Sequence, residues 1–259
     1  MKKSVKDLTV ISNRKINKDH SILELKSEVL LEDIVPGQFA NLLVDRSRNV
    51  FLRRPFSIFQ VDYKCNSFTV LIKIVGEGTK CLAECEIGDK ISTIFPLGKG
   101  YSFPEKKSKL LLVGGGVGIA PLMMVSRRLK NAGHKVDILL GARRESDLIE
   151  LDAFADNGTV HTTTEDGSHG IRGYVTDHTI LYNEICSFDK VYCCGPEPMM
   201  KAVARIAWQN NVECEVSLEN TMACGYGVCL CCVTDTIDGH RCVCTEGPVF
   251  DIKQLKWHN

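Results

Sequence analysis

The feature that most narrows what this chain can become is a crowd of sulfur near its end. Six of its thirteen cysteines fall between Cys224 and Cys244. They read Cys224-Gly-Tyr-Gly-Val-Cys229-Leu-Cys231-Cys232, with Cys242 and Cys244 further on. Four cysteines at C-x4-C-x2-C with a distal fourth have the plant-type spacing of a [2Fe–2S] cluster. A loop that must aim several thiolates at two irons needs tight turns, and Gly225 and Gly227 allow positive φ and close approach. Amides along such a loop can donate to the sulfurs and help set the potential. A zinc site would usually show two C-x2-C pairs, whereas the first spacing here is four. A disulfide knot would call for an oxidising compartment. The spacing selects Cys224, Cys229 and Cys232 over Cys231, and leaves Cys242 and Cys244 as rivals for the fourth place.

The rest of the composition bounds the setting. A chain of 259 residues has room for two domains and a small appendage, and 44% hydrophobic residues can fill real cores. Thirty-two basic residues balance 32 acidic ones, which gives no electrostatic case for nucleic acid or an anionic membrane. The scattered cysteines suit a reducing compartment. No apolar run of ~20 residues could span a bilayer, and no apolar segment follows the opening Met1-Lys2-Lys3 as a secretory signal would require. The expectation is a cytoplasmic protein.

From Leu8 to Phe95, short β-branched and aromatic runs alternate with turn signals such as Pro36-Gly37 and Gly88-Asp89, as in a small antiparallel barrel or sandwich. Two stretches inside it carry chemistry. Arg53-Arg54-Pro55-Phe56-Ser57 can offer a guanidinium to a pyrophosphate and a hydroxyl to a flat heterocycle; alternatively it is an edge strand with solvated arginines. Gly76-Glu77-Gly78-Thr79 places glycines after a strand with Thr79 as N-cap, so that free amides at a helix start could accept phosphate; alternatively it is a plain strand-to-helix turn. In one barrel, the two together make an anion site of dinucleotide size.

The polar stretch Pro104–Ser108 is the best boundary, and beyond it strands alternate with helices. Strands are expected at Lys109–Val113, Val136–Leu140, Thr159–Thr163 and Lys190–Cys194. Helices are expected near Pro121–Lys130, Asp147–Ala155, Tyr174–Tyr182 and Pro198–Trp208. That order implies a doubly wound parallel sheet. Its first turn, Gly114-Gly115-Gly116-Val117-Gly118-Ile119-Ala120-Pro121, is a phosphate-binding turn with proline in third place, which the first turn of a helix tolerates. No acidic residue ends the second strand, where Arg143 and Arg144 stand, so spacing leaves NADH and NADPH open. Cys194-Gly195-Pro196-Glu197-Pro198-Met199 ends a later strand at the sheet's ligand-binding edge. The histidines, His161, His169 and His178 among them, lack metal spacing and read as surface or satisfied polar groups. No G-x-S-x-G or H-E-x-x-H motif supports hydrolysis.

Taken in order, Arg54-Pro-Phe-Ser57, Gly76–Thr79, Gly88-Asp89, Gly114–Pro121 and Cys194–Met199 resemble the ferredoxin–NADP reductase superfamily. Thr221–Val233 and Val243-Cys-Thr-Glu-Gly-Pro-Val-Phe250 resemble, more narrowly, the electron-transfer subunits of dihydroorotate dehydrogenase B. The resemblance covers nearly the whole chain. It implies a flavin β-barrel over residues 1–103, a doubly wound nucleotide domain over 104–216 and a small iron–sulfur domain over 217–259. It implies that Arg54, Pro55, Phe56 and Ser57 hold FAD, with Arg54 on the pyrophosphate and Ser57 near the flavin N5. Leu71, Ile72 and Lys73 would line the cofactor through their strand, and Gly78 and Thr79 would cap its phosphates. Gly115, Gly116, Gly118 and Pro121, with Cys194, Gly195, Pro196 and Met199, would receive NAD. Cys224, Cys229, Cys232 and Cys244 would ligate the cluster, which decides for Cys244 over Cys242. Phe56 stands where the superfamily often has tyrosine, so any ribose contact of that hydroxyl is missing.

The resemblance further implies a partner: an FMN-containing dihydroorotate dehydrogenase catalytic subunit, two chains of each kind forming a heterotetramer, with orotate chemistry on the partner and no catalytic side chain needed here. A second reading is the small flavin subunit of a ferredoxin:NADP or sulfide-type oxidoreductase. A third is a zinc-stapled nucleotide-binding module without redox activity.

Overall fold

The computed structural model describes residues 4–257. The first six strands, β1 (Ser4–Lys15), β2 (His20–Lys26), β3 (Phe39–Leu42), β4 (Arg54–Asp62), β5 (Ser67–Lys73) and β6 (Lys90–Leu97), close into an antiparallel barrel in the order β1-β2-β5-β4-β3-β6. Closure leaves no unpaired edge. Alternate side chains of these strands, including Leu8, Val10, Leu23, Leu25, Ile58, Phe68 and Val70, fill the interior, each fully buried one contributing about 1.5–3 kcal/mol over exposure. Helix α1 (Glu77–Ala83) follows β5.

Five further strands, β7 (Lys109–Gly115), β8 (Lys135–Ala142), β9 (Thr159–Thr164), β10 (Ile171–Arg172) and β11 (Lys190–Cys194), pair in parallel with β12 (Glu213–Ser217) in one sheet. The sheet order is β10-β9-β8-β7-β11-β12, extended by β15 (Val249–Asp251). The chain reverses direction across the sheet between β7 and β11, so the ligand crevice of an open α/β sheet falls there. Helices α2 (Ala120–Asn131) and α3 (Leu151–Ala155) cover one face, and α4 (Ile180–Asn183) and α5 (Glu197–Gln209) the other. Phe59 and Leu71 of the barrel share a core with Leu122 and Met123 of α2, so the barrel and the sheet are packed together.

The expected helix at 174–182 is a turn of 3-10 helix at 175–177 followed by the short α4. The Asp177 carboxylate takes the Tyr174 N–H at 2.7 Å and His178 Nδ1 takes the Ile180 N–H at 3.1 Å. Local side-chain bonds of this kind compete with helical ones. The helix expected from Asp147 starts only at Leu151, because Glu150 adopts φ +57°. Thr79 is not the N-cap of α1: Gly76 is, and Thr79 sits at the third helical position.

The small C-terminal segment is tied into both larger parts. Its hairpin, β13 (Val233–Thr236) and β14 (Gly239–Cys242), leads through α6 (Val243–Glu246) into β15, which joins β12 antiparallel with Val216 opposite Phe250. The sheet is therefore parallel except for this donated edge strand. The same segment leans on the barrel, where Lys99 N–H donates to the Gly247 carbonyl and a Cβ on Gly98 would lie 2.5 Å from Pro248. Cys232 and Cys244 share a core with Leu97 and Val216.

Candidate functional site

At the barrel rim, two stretches separate in sequence meet. A Cβ on Gly78 would lie 3.1 Å from Arg54 Nε and 3.2 Å from Val50, so glycine lets α1 start close beneath that guanidinium without displacing it. Arg54 Nη1 is held by the Leu52 carbonyl at 2.7 Å. The first helical bond of α1 is Lys80 N–H to the Gly76 carbonyl at 3.0 Å, which leaves the amides of residues 77–79 for another acceptor. Thr79 spends its hydroxyl on the turn, accepting from the Val75 and Gly76 N–H groups at 2.9 and 3.1 Å. A half-buried cation above free amides is the donor set a pyrophosphate requires. Pro55, Phe56 and Ser57 follow half-buried on β4. Among the described residues, the Ser57 hydroxyl has no hydrogen-bond partner. Ile72 is turned into the barrel core and can offer a cofactor only its backbone, whereas Lys73 opens into a cleft.

That cleft has a volume of about 560 Å³ and runs between the barrel and the carboxyl edge of the sheet, lined by Lys73, Gly115, Gly116, Thr163, Pro196 and Met199 among others. Its floor is the strand-order reversal, with Gly114 of β7 opposite Cys194 of β11. A Cβ on Gly118 would lie 2.5 Å from the Cys194 backbone, one on Gly115 would lie 2.5 Å from Met199 Sδ, and one on Gly195 2.6 Å from Met199 Cε. The glycine turn and the Cys194–Met199 segment thus interlock. Gly116, at φ +55°, has open space above it, as close approach of a phosphate demands. Pro121 sits in the first turn of α2, where its missing N–H costs nothing. Arg144 is taken up by Asp147 at 3.2 Å and Asp19 at 3.9 Å, and Arg143 is exposed.

The cysteine loop lies against the barrel. Gly225 (φ +73°) and Gly227 (φ +82°) take left-handed conformations, and so does Leu230. The thiols fall into two pairs. Cys224 interacts with the Cys229 thiol, and Cys244 interacts with the Cys232 thiol while its N–H donates to Cys232 Sγ at 3.4 Å. The first pair is the more open, and Cys232 and Cys244 are buried. Burial opposes ionisation of Cys224, yet N–H donors from Cys229, Tyr226 and Val228 outweigh it and bring the thiol down to about 6. Burial and the neighbouring Cys232 push Cys244 up to about 12. One thiolate is thus stabilised by the loop alone, whereas Cys244 needs a nearby cation to ionise. Among the described residues, no three metal-binding side chains converge on one point. Two pairs are the arrangement a di-iron cluster takes.

The sequence carries the same three parts in comparison with known proteins. Residues 7–101 match the oxidoreductase FAD-binding domain, 112–205 the oxidoreductase NAD-binding domain, and 219–256 the iron–sulfur cluster binding domain of dihydroorotate dehydrogenase B. A dihydroorotate dehydrogenase B (NAD(+)) electron transfer subunit of Shouchella clausii is 36% identical over 261 residues, covering 98% of this chain and 99% of that one. The corresponding subunit of Caldanaerobacter subterraneus subsp. tengcongensis is 40% identical, covering 93% and 94%. This chain belongs to the dihydroorotate dehydrogenase B electron transfer subunits. It carries domains for FAD, NAD and an iron–sulfur cluster. Its fold is also that of a chain in the structure of an NADH-dependent reduced ferredoxin-NADP oxidoreductase, at TM-score 0.86 and 29% identity over 98% of this chain and 91% of that one.

This electron transfer subunit also has site residues that sequence reasoning missed. Glu219, exposed as a residue, holds its carboxylate 3.9 Å from the buried Cys194 thiol. Desolvation raises its carboxyl above the usual range, with the Cys194 contact and Lys73 pulling it back. Asn41 of β3 is fully buried against the cysteine loop. Neither belongs to a motif, and each reaches the site only through the fold. Among the described residues, no helix is long and apolar enough to cross a membrane.

Proposed function

We propose that this chain oxidises NADH at its central cleft and delivers the electrons singly, through FAD and a [2Fe–2S] cluster on Cys224, Cys229, Cys232 and Cys244, to an FMN-containing catalytic subunit that interconverts orotate and dihydroorotate in the cytoplasm. The observation that carries it is the continuity of the three sites: Lys73 of the flavin barrel lines the nucleotide cleft, and Gly225 of the cysteine loop rests on the barrel at Leu97 and Asn41. When bound, the flavin supplies the conversion between a hydride's paired electrons and the single electrons an iron–sulfur cluster accepts.

The chain's residues do the rest by position. Arg54 and the amides of 77–79 hold the flavin's pyrophosphate, Ser57 offers its hydroxyl toward the ring, Lys73 lines it, and Leu71, its side chain buried against α2, offers only its backbone. Gly115, Gly116 and Gly118 admit the phosphates of the nicotinamide nucleotide, and Cys194, Gly195, Pro196 and Met199 close the nicotinamide end. Arg144 is occupied by two carboxylates, and the likeness to NAD(+)-type electron transfer subunits favours NADH over a 2′-phosphate. No disulfide joins any of the described cysteines, which suits a reducing compartment. The partner meets the more open side of the cysteine loop, near Val228 and Leu230, and two copies of each chain assemble.

An anaerobic NADH titration of the purified chain, followed by absorbance and EPR, tests the reading. Flavin bleaching followed by a reduced-cluster EPR signal is expected, with NADH–dye reductase activity and no orotate turnover until the catalytic subunit is added. Zinc in place of iron and acid-labile sulfide would overturn it. The likeness to the ferredoxin-NADP oxidoreductase chain supports a second reading, in which another subunit takes the electrons. The subunit that copurifies distinguishes the two.

A further inference from the structure

Arg53 and Arg54 are neighbours in sequence, but their guanidinium groups leave the barrel rim in different directions. Arg54 covers Gly78. Arg53 reaches across β3 to β6, where Nη1 donates to the Ser92 carbonyl and Nη2 to Ser92 Oγ at 3.0 Å, and Nη1 also lies 3.5 Å from the Asn41 carbonyl. Asn41 in turn supports the cysteine loop. Its Nδ2 donates to the Ala223 carbonyl at 3.5 Å and would lie 3.3 Å from a Cβ on Gly225, so the residues on both sides of Cys224 rest on it. The N–H of Tyr226 donates to Cys224 Sγ at 3.3 Å. Burial weakens the hold of Arg53 on its proton, and attraction toward Tyr226 and Asp7 acts the other way.

Among the described residues, no carboxylate lies within ion-pair distance of the half-buried Arg53, and the exposed Asp7 attracts it only from further off. Burying a cation with so weak a counter-charge is costly, and the cost is recovered if a closer counter-charge arrives with a bound group. Two anionic groups belong near this rim. The flavin pyrophosphate falls to Arg54 and α1, whereas Arg53 is anchored on the side of the Cys224 loop.

We propose that Arg53 is a positioning residue for the cluster: a fixed cation, held by Ser92 and Asn41 beside the Cys224 loop, that favours the cluster's reduced form. The inference rests on the reading of Cys224, Cys229, Cys232 and Cys244 as cluster ligands. When the cluster is reduced, one electron is added, no bond breaks and the site becomes one unit more negative. A cation pinned nearby stabilises the product more than the reactant. The charge sits on the barrel that holds the flavin, so the donor's own domain sets how strongly the acceptor draws the electron.

The test is a redox titration of the purified full-length chain, following the cluster by EPR and the flavin by absorbance. In Arg53→Gln the midpoint of the cluster falls, so that at the parent's midpoint the ratio of reduced to oxidised cluster drops by about tenfold, while FAD, iron and sulfide contents stay at the parent's level. Arg53→Lys, which keeps the charge, recovers most of the shift. Ser92→Ala, which loosens the anchor and leaves the charge, gives a smaller fall in the same direction. An unmoved cluster midpoint in Arg53→Gln overturns the proposal, and so does loss of FAD at an unmoved midpoint, which would make Arg53 a flavin ligand. If Arg53→Gln does not assemble its cluster, Ser92→Ala decides, and an unchanged midpoint there overturns the proposal. A parent chain without iron and sulfide would instead refute the function proposed above.

Discussion

His178 is buried at the edge of the nucleotide domain, and its Nδ1 accepts the Ile180 N–H, so the imidazole is neutral with its proton on Nε2. Protonation would break that bond, and burial together with the nearby His161 holds the ring below its ordinary 6.5, against a small pull from Glu184. His20, buried in the β1–β2 hairpin, is shifted the same way, chiefly by desolvation and then by Lys73. A group depressed in the folded state contributes stability that is complete above its unfolded value and is lost as pH falls through the folded one, each unit being worth about 1.4 kcal/mol. Stability to urea is therefore expected to fall as pH drops below 6.5. His178→Gln, which keeps an acceptor for Ile180, should flatten that slope, and an equal slope in parent and variant would remove His178 from the account. Sequence reading of these residues as satisfied polar groups agrees with their bonds. It could not foresee their burial, because a histidine's neighbours are set by the packing of distant strands.

At the scale of elements, the glycine turn and the Cys194–Met199 segment were legible because each joins a strand to a helix with its own pattern. Their interlocking was not, since it depends on β7 and β11 being neighbours in the sheet. Gly118→Ala tests that interlock. The added methyl would sit 2.5 Å from the Cys194 backbone, and backbone cannot rotate away, so a cost of about 1–3 kcal/mol is expected. KM for NADH should rise with it, while the EPR spectrum of the cluster, held in the C-terminal segment, keeps its shape. An unchanged Tm and KM would mean that the two segments have room to part. The short β15 illustrates the opposite limit of legibility: three residues give no periodicity, and only pairing with β12 makes Val249–Asp251 a strand. The same holds at the site, where Arg54 and Gly78 stand out as motif members, but Asn41 reads as one polar residue in a strand.

For the whole molecule, the question is whether the cluster can be lost without losing the rest. The segment that carries it donates a strand to the sheet, rests on the barrel, and shares a core with both through Cys232, Val243, Cys244 and Phe250. Truncating the chain before Cys224 would uncover that core and the β12 edge, and should unfold more than the cluster site. Cys229 differs from Cys232 and Cys244 because it is exposed, and an exposed substitution away from packing moves stability by about 0.5 kcal/mol at most. Cys229→Ser is thus expected to abolish the iron–sulfur EPR signal while FAD stays bound and NADH still reduces it, with electron delivery to the catalytic subunit lost. Phe250→Ala should do the reverse in order: its ring fills the space beside Gly247, so about 3–5 kcal/mol is lost first, and the cluster signal and Tm decline together. If Cys229→Ser also shed FAD, the cluster would have to be holding the barrel and sheet in place, and the β12–β15 pairing and shared core would not be what joins the three parts.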